Sequence, residues 1–224
     1  YLGVEKSEIT TLITKIFFVG AVAKAYEPET KFDFVLDLVG GQGAGKTTFL
    51  RKMAREWYTD QFTDFKDKDN FGVMLRSLIA NDDEMTATNN SSFESLKKFV
   101  SAQELEFRPP YGKTSIRYPK NFVLARTTNE MTYLKDRTGE RRFLPVKVDL
   151  DNQKKTPFDD LTDEVINQMW GEFVSYYQHG FDFGLSRKQE QELANYREDF
   201  MYVDEVETQI EYFLKNYPDD FVSS

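Results

Sequence analysis

A glycine-rich octapeptide in the first quarter of the chain has the composition of a phosphate-binding loop. Residues 40–47, Gly-Gly-Gln-Gly-Ala-Gly-Lys-Thr, fit the pattern G-x-x-x-x-G-K-[ST] at every position. Glycines let successive backbone N–H groups turn inward around a phosphate, and a helix that begins at the loop adds the positive end of its dipole. Lys46 would attract the outer phosphates, and the Thr47 hydroxyl would be a hard oxygen ligand for Mg²⁺. We therefore expect a nucleoside triphosphate to be bound by Gly41, Gln42, Gly43, Ala44, Gly45, Lys46, Thr47 and Thr48.

Three consecutive acidic residues follow a short apolar run at 78–80. A phosphate loop needs a carboxylate at the end of a neighbouring strand to hold Mg²⁺, and often a second one to polarise the attacking water. We assign Asp83 to Mg²⁺ and Glu84 to the water. Because the apolar run is short, its register is ambiguous and Asp82 could exchange roles with Asp83. The alternative is a solvated acidic turn, since carboxylates are mostly exposed.

Asn129 follows another apolar segment, after Thr127 and Thr128. An uncharged amide at the end of a strand can donate a hydrogen bond to the terminal phosphate or orient the attacking water. We therefore place Asn129 among the catalytic residues. The alternative is an ordinary turn asparagine.

Three arginines, Arg137, Arg141 and Arg142, occur within one turn-rich segment. An arginine finger needs a planar, permanently charged group that stabilises charge in the transition state. Adjacent residues at the start of a strand point to opposite faces, so one of the pair could face a neighbouring subunit. We favour Arg142 over Arg141. The alternative is a surface pair or an internal salt bridge to Asp136 or Glu140.

Residues 104–118 predict a β-hairpin, because the turn sequence Pro-Pro-Tyr-Gly-Lys at 109–113 separates two short strand-like segments. A lysine and an aromatic residue at a hairpin tip suit phosphate contact and base stacking. We expect Lys113, with Arg108 and Tyr111, to contact single-stranded DNA, and Arg117 and Lys120 lie nearby in the sequence. The alternative is a solvated tip, since exposed lysine is common.

Apolar periodicity places these residues on an alternation of helices and strands. Helices are predicted at 1–30, 47–58, 92–103, 159–178, 186–200 and 206–216, and strands at 34–39, 77–80, 121–127 and 143–148, with residues 71–76 leading into the second strand. This order predicts an α/β fold: a three-layer P-loop NTPase core with a mainly parallel sheet. We divide the chain into an N-terminal helical segment (1–30), the core (31–150) and a C-terminal helical region (151–224).

Composition limits the classes of function. The 224 residues include no Cys and carry a net charge of −9. Thiol chemistry and zinc–thiolate sites are thereby excluded, and the protein cannot coat DNA by overall charge. The apolar stretch 9–25 is interrupted by Thr and Lys and predicts an amphipathic helix, so we expect no membrane association and a cytoplasmic location. Because the chain begins with Tyr1, we expect it to be a fragment of a longer protein.

Several runs together resemble one known family. They are Lys66–Asp69, Arg108–Gly112, Thr127–Asn129 and Leu134–Val146. In combination they are similar to the virulence-associated protein E family, whose members are ATPases encoded by prophages and pathogenicity islands. These ATPases resemble superfamily 3 helicases within the AAA+ class. The resemblance is strong over residues 30–150 and weak in the flanks.

The resemblance implies an ATPase that acts in replication of a mobile element, often beside a primase domain. It implies ATP and Mg²⁺ as ligands and a hexameric ring that threads single-stranded DNA, with the hairpin projecting into the channel. By position it implies a phosphate and magnesium role for Lys46 and Thr47, an acidic motif at Asp83 and Glu84, a sensor at Asn129, and an arginine finger at Arg141 or Arg142.

The acidic motif departs from the family pattern, because Asn81 and Asp82 stand where the family commonly has apolar residues and an earlier Glu. The function predicted first is an ATP-driven DNA helicase or translocase. A nucleotide-dependent regulatory switch without unwinding is the second hypothesis. A small-molecule kinase, with residues 137–142 as its lid, is a third that rests on fold analogy.

Overall fold

The computed structural model describes residues 1–109, 112–135, 140–202 and 213. Its strands are β1 (Val35–Val39), β2 (Tyr58–Thr59), β3 (Ile79–Asp82), β4 (Glu104–Phe107), β5 (Ile116–Pro119), β6 (Val123–Thr128) and β7 (Phe143–Lys147). Its helices are α1 (Glu8–Tyr26), α2 (Lys46–Ala54), α3 (Lys68–Met74), α4 (Thr86–Asn89), α5 (Phe93–Ser101), α6 (Asp163–Gln178) and α7 (Arg187–Glu198). The 3₁₀ turns are Arg55–Trp57, Asp83–Met85, Glu140–Arg142 and Leu150–Asn152.

Five strands form one sheet in the order β2-β3-β6-β1-β7, and every neighbouring pair is parallel. The inner strands β3, β6 and β1 are buried along their whole length. Strand β1 is apolar except at Asp37, whereas β6 is apolar at 123–125 and polar from Arg126 to its end. Carboxyl ends of parallel strands lie at one edge of the sheet, so the residues that follow β1, β3 and β6 meet there. Strands β4 and β5 form a separate antiparallel hairpin, as predicted.

Helices cover both faces of the sheet. Alternate side chains of β1 point to opposite faces, and each set packs against different helices. Leu36 and Leu38 pack in an apolar cluster with α1, α2 and α6. Val35 and Val39 pack in a second cluster with residues of α3 and α5. The α/β class with a mainly parallel sheet is therefore confirmed.

Helix α1 differs from its prediction in two respects: it spans Glu8–Tyr26, whereas the prediction was 1–30, and its burial is not that of an amphipathic helix throughout. Its residues 16–24 are buried on every side, against the sheet and α6, so only its first half is amphipathic. By length and composition α1 could cross a membrane, but 61% of that window is buried inside the protein. Its apolar character is explained by this central place in the core.

Other element boundaries also differ from the sequence prediction. Helix α2 ends at Ala54, because Arg55 adopts a positive φ of 54° and turns the chain into the edge strand β2. Strand β3 is displaced by two residues, because it spans Ile79–Asp82 and the prediction was 77–80. Helix α6 begins only at Asp163, where Thr162 caps it. The helices capped by Ser92 and Ser186 are confirmed, and the helix predicted at 206–216 lies outside the described residues except at Phe213.

Candidate functional site

The glycine-rich loop, residues 40–47, joins the end of β1 to the start of α2. Gly45 has a φ of 77°, and a Cβ placed on it would stand 2.9 Å from Pro157. A Cβ on Gly40 would stand 2.2 Å from the carbonyl oxygen of Val148. Both positions therefore require glycine. The N–H groups of residues 41–45 donate no hydrogen bond to the described part of the chain, and so can receive an anion.

Lys46 lies at the base of this loop and is only 6% exposed. Its Nζ donates to the carbonyl oxygens of Gly40 and Gly41, and to Oδ1 of Asn129 at 2.9 Å. Burial lowers the pKa of Lys46, while the charges of Glu84 and Asp83 act in the opposite direction. The ammonium is thus held in one place, between the loop and the end of β6.

Asp83 stands directly opposite Thr47. Its Oδ1 accepts hydrogen bonds from the hydroxyls of Thr47 at 2.5 Å and Thr127 at 2.8 Å, and from the amide of Asn81 at 3.2 Å. A carboxylate beside a hydroxyl is a pair of hard oxygen donors of the kind that Mg²⁺ takes from a protein while keeping several waters. No larger cluster of His, Cys, Asp or Glu suited to a metal occurs among the residues described.

Asp82 points away from the glycine-rich loop, so of the two adjacent aspartates only Asp83 contacts Thr47. The Asp82 side chain is buried and accepts from the backbone N–H groups of Ala87 and Thr88, at 2.7 and 2.9 Å, and from the Thr88 hydroxyl at 2.6 Å. Burial raises the pKa of Asp82, although these hydrogen bonds oppose the effect. Asp82 therefore anchors α4, while Asp83 faces the loop.

Glu84 adopts a left-handed conformation, with φ 53° and ψ 25°, and Met85 follows with φ 50°. For residues other than glycine such conformations cost of order 1–3 kcal/mol each and occur at functional sites. The Thr127 hydroxyl accepts from the Glu84 N–H at 3.0 Å and helps to hold this turn. The Asn129 amide donates to both carboxylate oxygens of Glu84, at 3.0 and 3.2 Å. Asn129 thus bridges Lys46 and Glu84.

The two arginines before β7 lie in different surroundings. Nε of Arg142 is 3.6 Å from the Asp33 carboxylate of the same chain, and its side chain is 19% exposed. Arg141 is exposed, and its backbone carbonyl accepts from Arg197 at 3.0 Å. Arg137, like Asp136, lies outside the described residues. The partner of Arg142 is therefore Asp33, which is remote in the sequence.

The hairpin presents only part of the basic group named from the sequence. Arg108 and Lys113 are exposed, and Tyr111 lies outside the described residues. Lys120 is buried: its Nζ donates to the carbonyl oxygens of Phe99 and Val100 at the end of α5, and burial lowers its pKa to about 7. Although Lys120 is close to the hairpin in the sequence, its side chain is not part of the tip, because it caps a helix inside the protein.

A buried ion pair beneath the site was missed by the sequence reasoning. The Arg126 guanidinium donates to both carboxylate oxygens of Asp37, at 2.7 and 2.6 Å, and the Tyr133 hydroxyl donates to the same carboxylate. Arg126 also donates to the Thr88 hydroxyl at 3.4 Å, and so connects to the acidic turn. The available signal was a single charged residue, Asp37 or Arg126, inside each of two predicted core strands. The two charges are of opposite sign, and the parallel register places them side by side.

Comparison with known proteins agrees with the family resemblance and extends it. The model of the virulence-associated protein E-like domain matches residues 1–202, and so includes α1, α6 and α7 as well as the sheet. No curated protein matches the chain. Two A-form apo structures of the C-terminal region of NrS-1, one of them described as residues 305–718, align with 98% of this chain. Their identities are 17% and 15%, and their TM-scores are 0.48 and 0.47. The chain spans 60% of the length of those two chains. Since the family model covers most of its length, the chain belongs to the virulence-associated protein E-like domain family.

Proposed function

We propose that this chain is a Mg²⁺-dependent P-loop ATPase that drives a DNA helicase or translocase in replication of a phage or another mobile element. The observation that carries the proposal is the convergence of Lys46, Thr47, Asp83, Glu84 and Asn129 at one edge of a parallel sheet. We propose ATP, and not another nucleoside triphosphate, as the ligand because the family resemblance implies it. The cytoplasm, where such an element replicates, is the proposed location.

The residues divide the work of hydrolysis. The free amides of the glycine-rich loop and the Lys46 ammonium would hold the β- and γ-phosphates in place. Thr47 and Asp83 would hold Mg²⁺, which when bound neutralises charge on the phosphate oxygens. Glu84 would accept a proton from the water that attacks the γ-phosphorus as the bond to the leaving phosphate breaks. Asn129 would orient that water or the γ-phosphate.

Asn129 supports a coupling between phosphate binding and catalysis. Its Oδ1 accepts from Lys46, and its Nδ2 donates to Glu84. A γ-phosphate beside Lys46 would compete with the Asn129 oxygen for the Lys46 ammonium, and with the Glu84 carboxylate for the Asn129 amide, because phosphate oxygens accept strongly from ammonium and amide groups. Release of Glu84 from the amide would then make its carboxylate available to water.

Turnover is proposed to require a neighbouring subunit. Arg141 is exposed and is preferred here as the finger, whereas the Arg142 guanidinium faces Asp33 of its own chain. With a net charge of −9, the monomer offers DNA only local basic groups such as Arg108 and Lys113. A ring would place one such hairpin per subunit around a single strand.

The test is ATP turnover measured against protein concentration, with and without single-stranded DNA. We expect turnover per subunit to rise with concentration and with DNA. Lys46→Ala should abolish it while circular dichroism stays unchanged, and Lys98→Ala, which removes an exposed lysine, is the matched control. If calorimetry on folded protein detects no binding of ATP or GTP, the proposal fails.

A regulatory switch is the second candidate, and the contact between Asn129 and Glu84 favours it, because a retained Glu84 would make hydrolysis slow. The two candidates differ in the effect of the bound nucleotide, which is assembly alone for the switch and strand separation for the motor. A non-hydrolysable analogue that causes assembly without any strand separation would support the switch. Strand separation that depends on ATP would support the motor.

A further inference from the structure

The order of the strands determines the direction in which a bound nucleotide extends. In the sequence β3-β6-β1-β7, the acidic turn after β3 and Asn129 after β6 lie on one side of the glycine-rich loop. A γ-phosphate that reaches Lys46 and Glu84 occupies that side. The nucleoside must then extend away from it, toward the segment that follows β7.

That segment, residues 149–161, is fixed to the loop and to α2 at two places. The Gln153 side chain donates to the carbonyl oxygen of Ala44 at 2.8 Å. The Lys52 ammonium donates to the carbonyl oxygens of Phe158 and Leu161, at 2.6 and 3.3 Å. Two hydrogen bonds close the short turn between these anchors. The Thr156 N–H donates to the Asp160 carboxylate, and the Asp159 N–H donates to the Thr156 hydroxyl.

Phe158 lies on this turn, beside the loop. Its Cε2 is 3.3 Å from the point where a Cβ on Gly45 would stand, and 51% of the residue is exposed. Among the described residues no other aromatic ring pairs with it. Thr48 and Lys52 lie one turn apart on α2 and so share a face of that helix. Lys52 holds the Phe158 backbone and the ring lies beside Gly45, so the turn packs against the N-terminal part of α2, where we expect the nucleoside.

We propose that Phe158 is the platform on which the nucleobase of the bound nucleotide stacks. This inference rests on the nucleotide binding proposed above and adds the residue that holds the base. An aromatic face stacks on any base, so Phe158 would strengthen binding without strong selection among bases. Base stacking on an aromatic side chain is worth about 10-fold or more in affinity.

The test separates the base from the phosphates. Isothermal titration with ATP and with inorganic tripolyphosphate, both with Mg²⁺, is performed on wild type, Phe158→Ala and Phe158→Leu. We expect both variants to bind ATP about 10-fold more weakly than wild type and to bind tripolyphosphate equally well. Phe158→Leu keeps an apolar side chain against Gly45, so its loss of affinity reports the missing ring. Trp57→Ala is the matched control, since Trp57 is 53% exposed and lies in the 3₁₀ turn that follows the far end of α2.

A gain of signal supplements this loss of affinity. In Phe158→Trp the new indole should be quenched by ATP and not by tripolyphosphate, after subtraction of the wild-type signal. If tripolyphosphate binds but both truncated variants bind ATP as wild type does, the stacking role is overturned while the nucleotide site stands. If neither ligand binds the wild type, both proposals fail.

Discussion

Lys120 offers a test of the structure that is independent of nucleotide. Its ammonium is buried at the end of α5, close to Lys24 and Asp33, and burial lowers its pKa from 10.5 to about 7. The unfolded chain keeps the proton up to pH 10.5, so between pH 7 and 10.5 the unfolded state binds more protons than the folded state. The contribution of Lys120 to the free energy of unfolding therefore rises with pH in this range. Lys24, with a pKa of about 8, contributes in the same direction.

The expected size follows from these two pKa values. When the unfolded state binds one proton more than the folded state, the free energy of unfolding rises by about 1.4 kcal/mol per pH unit. Integration from pH 7 to pH 9 gives roughly 2 kcal/mol for Lys120 alone. Urea denaturation at pH 7, 8 and 9 measures it. Lys120→Met should lose about 2 kcal/mol of this rise, whereas Lys98→Met, which removes an exposed lysine of α5, should keep the wild-type slope. If Lys120→Met and wild type gain stability equally between pH 7 and 9, Lys120 is not buried as described.

Three further predictions concern the site and its support. Glu84→Gln should bind ATP normally and hydrolyse it at least about 100-fold more slowly, measured by phosphate release, because an amide cannot take the proton from water. Arg141→Ala should abolish turnover yet keep nucleotide affinity, and Arg142→Ala should chiefly lower the melting temperature; the reverse result would make Arg142 the finger. Arg126→Met should lower the free energy of unfolding by about 3–5 kcal/mol, because it leaves the Asp37 charge buried without its partner. Adding Asp37→Leu should recover most of that loss in urea denaturation, and a double variant no more stable than Arg126→Met would contradict this account.

Residues close together in the sequence supported the most accurate predictions. The loop at 40–47, the helix that follows it and the hairpin at 104–118 depend on local chemistry: glycine conformations, turn residues and apolar periodicity. The caps at Ser92 and Ser186 are local for the same reason, since each side chain accepts from a backbone N–H three residues later. These features could be read without any knowledge of the tertiary fold.

The roles of single charged residues could not be read in this way. Asp82 and Asp83 are adjacent and chemically identical, and only the position of β3 beside β6 turns one into the protein and the other toward Thr47. Arg142 pairs with Asp33, which precedes β1, and no pattern in the sequence predicts that contact.

By itself the sequence determined the glycine-rich loop with its flanking strand and helix, the α/β class and the family, because each of these rests on short-range pattern. Only the tertiary structure decided which carboxylate meets Thr47, that Lys120 is buried, and that Phe158 borders Gly45. The physical reason is that these contacts join segments from different elements, whose approach is set by the order of strands in the sheet and by packing in the core.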